Sequence, residues 1–309
     1  MIKTFILLIV LAVYLLTGCD RHDQKNGKAA AMKQSTNLQD LEKKLHRFLD
    51  DKNELIAVAL QLTADEHYLG IQDMVSVHAA STMKVPVMME VFRQAGQGVL
   101  DLNDSLLIQN SFRSIIDGSP YSLDIGEDSG ERLYALIGQK ESIRSLVREM
   151  ITRSGNLAAN LLIDLVKVKN IRQLMAALGA EDMQVLRGVE DMKAFHAGKN
   201  NTTTARALAR IFHAIYQSEL WQEDDCREML DMLLDQKFNE KIPAGLPADV
   251  SVAHKTGWIT GIDHDAGIIF PPNLPPYILV VLTKGFEDHA RANKCIADIS
   301  AMVYQWYLL

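Results

Sequence analysis

Residues 78–86 read His-Ala-Ala-Ser-Thr-Met-Lys-Val-Pro. This stretch is the starting point for predicting how the rest of the chain is organised. Apolar residues recur at helical spacing over residues 83–91, and Pro86 falls in the first turn, where a missing N–H does no harm. A helix is therefore predicted to begin here. Ser81 and Lys84 are three residues apart, so the lysine amine can come within hydrogen-bond distance of the serine hydroxyl. The pair is a nucleophile beside a candidate base, near the positive end of the helix dipole.

The length and composition of the chain indicate a folded protein of one large domain or two lobes. Its 309 residues are 48% hydrophobic and 23% charged, with a formal net charge of −7. Lys3 is the one charged residue in positions 1–18, so removal of that segment makes the charge −8. No long run of Lys or Arg opposes this charge, which argues against a nucleic-acid surface. The nine histidines form no HxH or HExxH spacing, so neither a metal nor another cofactor is expected.

The N-terminus has the features of an exported lipoprotein. Lys3 precedes an apolar run over residues 5–16 that suits a signal peptide and is short for a membrane span. Residues 16–19, Leu-Thr-Gly-Cys, resemble a bacterial lipobox, which predicts removal of residues 1–18 and lipidation of Cys19. An ordinary secretory signal with an incidental cysteine is the alternative.

Residues 19–37 are polar and are interpreted as a tether. The 18 residues after the lipidated cysteine could extend to about 60 Å at most. The globular part would then stand off the membrane on its periplasmic side. Asp20 favours retention in the inner membrane if the Gram-negative sorting rule applies.

Apolar periodicity beyond the tether predicts an α+β fold of two lobes. One lobe is an antiparallel sheet built from both termini, residues 38–80 and 250–309, and flanked by an N-terminal and a C-terminal helix. The other is an all-α lobe, residues 81–249, inserted between the two halves of the sheet. A functional site is expected between the lobes. Helices are predicted at residues 38–49, 142–152, 157–166, 171–178, 204–216, 224–234 and 288–307, and strands at residues 55–62, 66–70, 251–257, 262–270 and 277–283.

A second constellation, Ser154-Gly155-Asn156, joins two of the predicted helices. The serine hydroxyl can relay a proton, and the asparagine amide can hold a substrate carbonyl or orient a lysine. An ordinary helix cap is the alternative interpretation, because Ser and Asn favour such positions.

A third constellation, Lys255-Thr256-Gly257, ends a predicted strand and is followed by Trp258. A lysine and a threonine at a strand end can bind a carboxylate, and the glycine permits close backbone approach. The alternative is a lysine that protects an exposed edge strand from aggregation.

The order SxxK, SxN, KTG is far less frequent by chance than any one of the three motifs. An SxxK pair alone arises roughly once in a chain of this length. By these motifs residues 38–309 resemble the catalytic domain of the class A β-lactamase family, which has a β-lactamase/transpeptidase-like fold. The resemblance implies that Ser81 is the acylated nucleophile. It also implies that Lys84 either accepts the serine proton or positions the group that accepts it. It implies that Ser154 relays a proton to the leaving nitrogen.

The same resemblance implies how a substrate would be bound. Asn156 would contact the substrate amide, and the lysine and threonine beside Gly257 would bind its carboxylate. The backbone N–H groups of Ser81 and Trp258 would form an oxyanion hole, which can be worth about 3 to 4 kcal/mol per donor.

Two departures from the family pattern concern carboxylates. The family usually has aspartate at the position of Gly155, so a carboxylate that supports this turn is expected to be missing. The loop that carries the family's water-activating glutamate reads Arg-Gly-Val-Glu-Asp-Met-Lys over residues 187–193, so Glu190 stands one position later relative to the arginine. Asn201 replaces the acid that closes the loop. Glu190 and Asp191 are the two acids available as the base for deacylation, and Glu190 is nearer the family position.

The resemblance predicts a lipid-anchored serine hydrolase that opens a β-lactam ring through a Ser81 acyl-enzyme, which water then hydrolyses. A D,D-peptidase or an esterase on the same scaffold is the first alternative. A penicillin or peptidoglycan receptor that acylates, or merely binds, without turnover is the second. The implied partners are a small β-lactam or peptidoglycan-like substrate and the membrane surface.

Cys226 and Cys295 are far apart in the chain and form no CxxC or Cys/His metal spacing. An export compartment would permit a disulfide between them. Two buried free thiols are the favoured prediction.

Overall fold

The computed structural model describes residues 38–65 and 67–309. The predicted signal peptide of residues 1–18, the predicted lipidation site Cys19 and the tether of residues 19–37 lie outside the described residues. Their assignment therefore stays a prediction.

The described part of the chain falls into two compact units, one that ends at Arg47 and one that comprises Phe48–Leu309. Residues 38–49 form the predicted first helix, α1. Within the described ranges, no helix combines the length and the apolar character needed to cross a membrane.

Each helix and strand predicted beyond residue 49 is present in the larger unit to within about three residues, and the unit also contains short elements that were not predicted. The strands are β1 (Leu55–Leu62), β2 (Tyr68–Ile71), β3 (Val77–His78), β4 (Ser105–Leu107), β5 (Phe112–Arg113), β6 (Pro120–Tyr121), β7 (Lys140–Ser142), β8 (Thr202–Thr203), β9 (Ser251–Ile259), β10 (Ile262–Phe270) and β11 (Tyr277–Lys284). The α-helices are α2 (Lys84–Gly96), α3 (Ile143–Thr152), α4 (Asn156–Val166), α5 (Val168–Ala177), α6 (Met192–His196), α7 (Ala205–Tyr216), α8 (Glu223–Leu234) and α9 (His289–Tyr307).

Five strands form one antiparallel sheet in the order β2-β1-β11-β10-β9. β1 pairs with β11 along its whole length, from Leu55 opposite Lys284 to Leu62 opposite Tyr277. Seven of the eight residues of β11 are buried, and α7 and α9 both pack against the central strands, so both faces of the sheet are covered. The predicted α+β fold, with a sheet assembled from the two ends of the chain, is confirmed.

The helix α2, which follows the nucleophile candidate, is buried on all sides. The buried residues run without a break from Lys84 to Phe92, and α2 packs against α3, α4, α5 and α8. A helix that is hydrophobic all round belongs in the centre of a domain rather than on its surface. The serine just before α2 is therefore connected directly to a buried helix of the helical region.

Three short antiparallel pairs, β3 with β8, β4 with β7 and β5 with β6, were not predicted, and all of these strands except β3 lie in residues 81–249, the region that the sequence predicted as wholly helical. Each strand has only two or three residues. A period-2 pattern cannot show itself over so few positions, which is why apolar spacing did not reveal them.

Cys226 in α8 and Cys295 in α9 are both buried and free, as favoured from the sequence. Burial raises the pKa of the Cys295 thiol to about 11. A buried thiol of raised pKa is a poor nucleophile, so this residue acts as part of the core.

Candidate active site

The nucleophile candidate Ser81 lies in a 3-10 turn, Ala80–Met83, immediately before α2. Lys84 is the first residue of α2, and its side chain is fully buried. Its Nζ lies 3.1 Å from Ser81 Oγ, so the predicted contact between nucleophile and base is present.

The turn that carries the serine is held by the residues before it. Ala80 has a φ of 46°, a left-handed conformation that costs energy for any residue other than glycine. Its N–H donates to His78 Nδ1 at 3.0 Å. Burial, together with the charge of Arg187, lowers the pKa of His78 to about 4, so the imidazole is neutral at physiological pH and able to accept this bond. His78 was missed as a supporting residue, since a single histidine carries no recognisable spacing.

Lys84 connects the serine to the second constellation. Its Nζ donates to the backbone oxygen of Ser154 at 2.5 Å and to Asn156 Oδ1 at 2.8 Å, and it lies 3.3 Å from Ser154 Oγ. Burial lowers the pKa of Lys84 to about 7, against the opposing effect of the Asp128 and Glu190 charges. A substantial fraction of the amine is therefore neutral near pH 7 and able to accept a proton.

Lys255 approaches the same hydroxyl from the sheet. Its buried Nζ donates to Ser154 Oγ at 3.0 Å and to the Thr256 backbone oxygen at 2.9 Å. Burial and the nearby Lys84 hold the pKa of Lys255 well below its ordinary value. When both amines donate to Ser154 Oγ, its two lone pairs are used and its own O–H is free to donate elsewhere.

The third constellation lies on β9, directly beside the serine turn. A Cβ added to Gly257 would stand 2.9 Å from the Ser81 backbone nitrogen and 3.1 Å from that of Thr82. Only glycine permits this approach of strand to turn. Trp258, the next residue, is 50% exposed and forms part of the rim.

Several of these residues line one cleft of about 640 Å³, whereas Lys84 and Lys255 are fully buried behind its wall. Its wall includes Ser81, Ser154, Asn156, Glu190 and Trp258. Seven residues other than glycine have a positive φ in the described part of the chain, and three of them, at positions 80, 154 and 190, line this cleft. Backbone strain concentrated at one place is typical of a functional site.

Glu190 places a carboxylate on the cleft wall. Its Oε2 accepts the Asp124 N–H at 2.9 Å, whereas its buried Oε1 has no hydrogen-bond partner among the described residues. Burial raises the pKa of Glu190, and the nearby acids Asp128 and Asp124 add to the effect. The carboxylate therefore has one oxygen fixed by a backbone N–H and one oxygen that is buried without a partner among the described residues.

Asp191, the other acid considered from the sequence, is fully used inside the protein. It is 1% exposed, and its two oxygens accept bonds from Ser114 Oγ at 2.8 Å, the Ile115 N–H at 2.9 Å and the Ala194 N–H at 3.1 Å. This carboxylate caps α6 and fixes a neighbouring loop. Of the two acids, only Glu190 lines the cleft.

Asn201 closes the loop of residues 187–201 although the family has an acid there. Its Oδ1 accepts the N–H groups of Leu186 at 2.8 Å and Arg187 at 3.1 Å, and its Nδ2 donates to the Arg187 oxygen at 3.1 Å. The Arg187 guanidinium donates to the Lys199 and Gly188 backbone oxygens, at 3.1 and 3.0 Å. An amide thus closes the loop through three hydrogen bonds to its backbone.

The expectation that a carboxylate beside Gly155 would be missing is wrong. Asp128, which is 4% exposed, accepts the N–H groups of Asn156 and Leu157, each at 2.8 Å. It comes from a loop far upstream in sequence. Asp128 is one of four acids within residues 124–131, so no local signal distinguished it.

In the described residues, no group of three or more His, Cys, Asp or Glu side chains is arranged to hold a metal ion. The site consists of a buried amine beside a hydroxyl, a second hydroxyl between two amines, and a carboxylate on the facing loop. Such an arrangement can activate a serine and return a proton to a leaving group.

Comparison with known proteins agrees with this geometry. Residues 40–307 match the sequence model of the Beta-lactamase enzyme family, and the chain belongs to this family. A β-lactamase of Streptomyces fradiae is 30% identical over 164 residues, which cover 52% of this chain and 54% of that protein. The chain therefore spans about half the length of the curated relatives it matches in this way. The extended-spectrum β-lactamase PER-1 of Pseudomonas aeruginosa is 23% identical over 287 residues, which cover 87% of each chain.

Solved structures share the fold over nearly the whole domain. The structure of PBP-A is 25% identical, with a TM-score of 0.74, and the match covers 87% of this chain and 96% of that one. A mutant of PBP-A, with a TM-score of 0.73 and the same identity and coverage, is described as an acyl-enzyme complex with penicillin G. The predicted β-lactamase/transpeptidase-like fold is confirmed.

Proposed function

We propose that the protein is a serine hydrolase of the β-lactamase type, which opens a β-lactam ring through an acyl-enzyme on Ser81. The observation that carries the proposal is the buried Lys84 amine, whose Nζ lies 3.1 Å from Ser81 Oγ and 3.3 Å from Ser154 Oγ. Family membership and the fold shared with PBP-A, a mutant of which is described as acylated by penicillin G, support it.

In the acylation step, neutral Lys84 accepts the Ser81 proton while Oγ attacks the lactam carbonyl carbon. The backbone N–H groups of Ser81 and Trp258 would bind the oxyanion. The C–N bond then breaks, and the ring nitrogen takes a proton from Ser154 Oγ, which recovers one from protonated Lys84. The products are a Ser81 ester and a ring nitrogen that carries the proton lost by the serine.

Substrate binding is assigned to the edge of the cleft formed by α4 and β9. Asn156 would contact the substrate amide, and Lys255 with Thr256 would receive its carboxylate. A bound carboxylate would compensate the buried Lys255 ammonium, whose charged form is disfavoured by burial and by the nearby Lys84.

In the deacylation step, Glu190 would take a proton from a water that attacks the ester carbonyl. The C–O bond breaks, and the proton taken by Glu190 returns to Ser81 Oγ through Lys84, which regenerates the free enzyme. The position of Glu190 in the wall of the cleft that also contains Ser81 supports this role. A general base must reach the water within about 3 Å, so the position of the carboxylate counts for more than its place in a motif.

Mass spectrometry of the protein incubated with a penicillin, followed over time, tests the proposal. The mass of one penicillin should appear on the protein and then disappear as the drug is consumed. Covalent mass that appears and persists would support the second candidate, a receptor that acylates without turnover. That candidate is favoured by the Asp124 N–H that already occupies one Glu190 oxygen.

Cleavage of a D-Ala-D-Ala peptide or of a simple ester, with no loss of penicillin, would instead identify a D,D-peptidase or an esterase. These activities need the same serine and lysine, so they share the acylation chemistry. Absence of any covalent mass with every substrate would refute the proposal.

We also propose that Cys19 is lipidated, so that the catalytic domain stands on a tether at the periplasmic face of the inner membrane. The support is the lipobox-like Leu-Thr-Gly-Cys of residues 16–19 and the acid Asp20 after it. Cys19→Ser should abolish lipid modification and the removal of residues 1–18 by the lipoprotein route. Native protein recovered from the periplasm without a lipid mass would refute this.

A further inference from the structure

The turn before α4 lacks its own cap. Gly155 is at the N-cap position of α4, with φ −57° and ψ 123°, and makes no side-chain cap hydrogen bond. The first N–H groups of a helix have no partner inside it, and an N-cap Asp, Asn, Ser or Thr ordinarily accepts one of them. A glycine cannot do so. The N-terminus of α4 therefore needs an acceptor from elsewhere.

Asp128 is that acceptor, and its carboxylate is saturated. Oδ1 accepts the N–H groups of Asn156 and Gly130, and Oδ2 accepts the Leu157 N–H, each at 2.8 Å. Oδ2 also accepts the Tyr134 hydroxyl at 3.0 Å. Four donors from three segments converge on one buried carboxylate, which fixes the loop and the helix end together.

The two segments meet through their backbones. A Cβ added to Gly130 would stand 2.7 Å from the Gly155 Cα, so the upstream loop can lie on the turn only with glycine at that position. A Cβ added to Gly155 would meet its nearest atoms at 3.4 to 3.6 Å, which is ordinary contact. A Cβ at position 155 therefore causes no clash, and the φ there suits any residue.

We propose that Asp128 is a positioning residue that supplies, from a separate loop, the carboxylate which the family places inside the turn. It acts through Asn156 and the start of α4, and so holds Asn156 Oδ1 and the Ser154 oxygens against the Lys84 amine. Its charge also stabilises Lys84 once that amine has taken the serine proton. The inference rests on the proposed acylation of Ser81.

The test compares three variants with the wild type, with the rate of labelling by a fluorescent penicillin as the readout. Asp128→Asn keeps the shape of the side chain but turns an NH₂ group toward N–H donors, and should slow labelling by about thirtyfold or more. Gly155→Asp in the same chain places a carboxylate at the N-cap position, where it can accept the Leu157 N–H, and should restore labelling to within about threefold. Gly155→Asp alone brings two carboxylates to one N–H group and should slow labelling rather than speed it.

The pH profile separates positioning from general damage. The groups that face Lys84 are the carboxylates of Asp128 and Glu190 and the amine of Lys255. Loss of the Asp128 charge should move the acid limb of the labelling rate to lower pH, and Gly155→Asp should move it back. Asp101→Asn, which changes an exposed aspartate that caps only its own turn, is the matched control and should leave rate and profile unchanged.

Several outcomes would overturn the inference. Labelling of Asp128→Asn at the wild-type rate would do so, as would a slow variant that Gly155→Asp fails to rescue. If Asp128→Asn does not fold, the double variant must fold and label, and its failure counts against the inference. If penicillin never labels the wild type, the proposed function fails instead, and the inference is judged by urea unfolding, where Gly155→Asp must restore the stability lost in Asp128→Asn.

Discussion

The lysine cluster and the loop of residues 187–201 serve the two halves of the proposed reaction and are built differently. In the lysine cluster, made of Ser81, Lys84, Ser154 and Lys255, each reactive group is bonded to another. In the loop, Asn201 bonds the backbone of Leu186 and Arg187 and so joins the two ends, yet Glu190 Oε1 has no hydrogen-bond partner within the described part of the chain.

This contrast implies that formation of the acyl-enzyme is fixed by several contacts at once, whereas its hydrolysis depends on a single carboxylate. Because α2, α4 and β9 are packed elements, the cluster geometry is determined by the core. Changes in the loop should therefore separate the two steps, and changes in the cluster should remove both.

The largest effect is expected at the nucleophile. Ser81→Ala should abolish labelling by a fluorescent penicillin, because it removes the hydroxyl 3.1 Å from the Lys84 amine that is proposed to form the acyl bond. Lys84→Ala should slow labelling on the order of a thousandfold, since the serine then lacks a proton acceptor. Thr82→Ala is a useful neighbour for comparison, because its hydroxyl bonds only the Ala79 oxygen at 2.6 Å. Equal labelling of the wild type and Ser81→Ala would remove the mechanism.

The next largest effect concerns Glu190. Glu190→Gln should acylate at a near-normal rate and then stall, with release slowed about a hundredfold or more, because the amide cannot take a proton from water. Intact-protein mass spectrometry should show adduct that the wild type clears. Glu127→Gln, which alters a second carboxylate on the same cleft wall, should clear its adduct normally. If the wild type stalls for as long as Glu190→Gln, the receptor or a slow peptidase takes the place of the lactamase.

The cluster and the loop also differ in how far the sequence predicted them. The Ser81–Lys84 contact could be predicted from spacing, because i, i+3 residues meet on one turn. The Lys255–Ser154 contact joins residues 101 apart, and only the order of the three motifs pointed to it. The sheet was predicted correctly, because strands of eight or nine residues show their pattern.

The contacts made by single side chains escaped prediction. Asp128 reaches Asn156 across 28 residues, and nothing local distinguishes it from the acids around it. Glu190 was favoured over Asp191 by position in a motif, and the structure adds the physical reason, since Asp191 is occupied by three donors. Such contacts depend on tertiary packing of loops, which carries no periodic signal.

A smaller effect, in pH dependence, should again separate the two regions. Lys84 acts as a base when neutral, and its pKa of about 7 means that roughly one-tenth is neutral at pH 6. The acylation rate should therefore fall about tenfold from its plateau at that pH. The hydrolysis rate should fall at a pH above the ordinary carboxyl range, because the pKa of Glu190 is raised. Stopped-flow labelling measures the pH dependence of acylation, and adduct decay measures that of hydrolysis. An acylation rate that is flat from pH 6 to 8 would contradict the role of Lys84.

The smallest effect is expected where Asn201 joins the two ends of the loop of residues 187–201 and occupies the family's acid position. Asn201→Asp keeps an acceptor for the Leu186 and Arg187 N–H groups but loses the donor, so an anionic oxygen faces the Arg187 backbone oxygen, now 3.1 Å from Nδ2. The variant should lose about 1 to 2 kcal/mol of unfolding free energy, measured in urea, and release its adduct a few times more slowly. Asn200→Asp makes the same charge change one residue earlier, where the side chain accepts from the Arg187 guanidinium at 3.4 Å, and should be neutral or slightly stabilising.

If the two variants behave alike, net charge rather than the lost donor governs the stability of the loop. If Asn201→Asp slows acylation as much as release, the Asn201 contacts also influence the lysine cluster. The connection would be the Ala79 N–H, which donates to the Asn201 backbone oxygen at 2.8 Å.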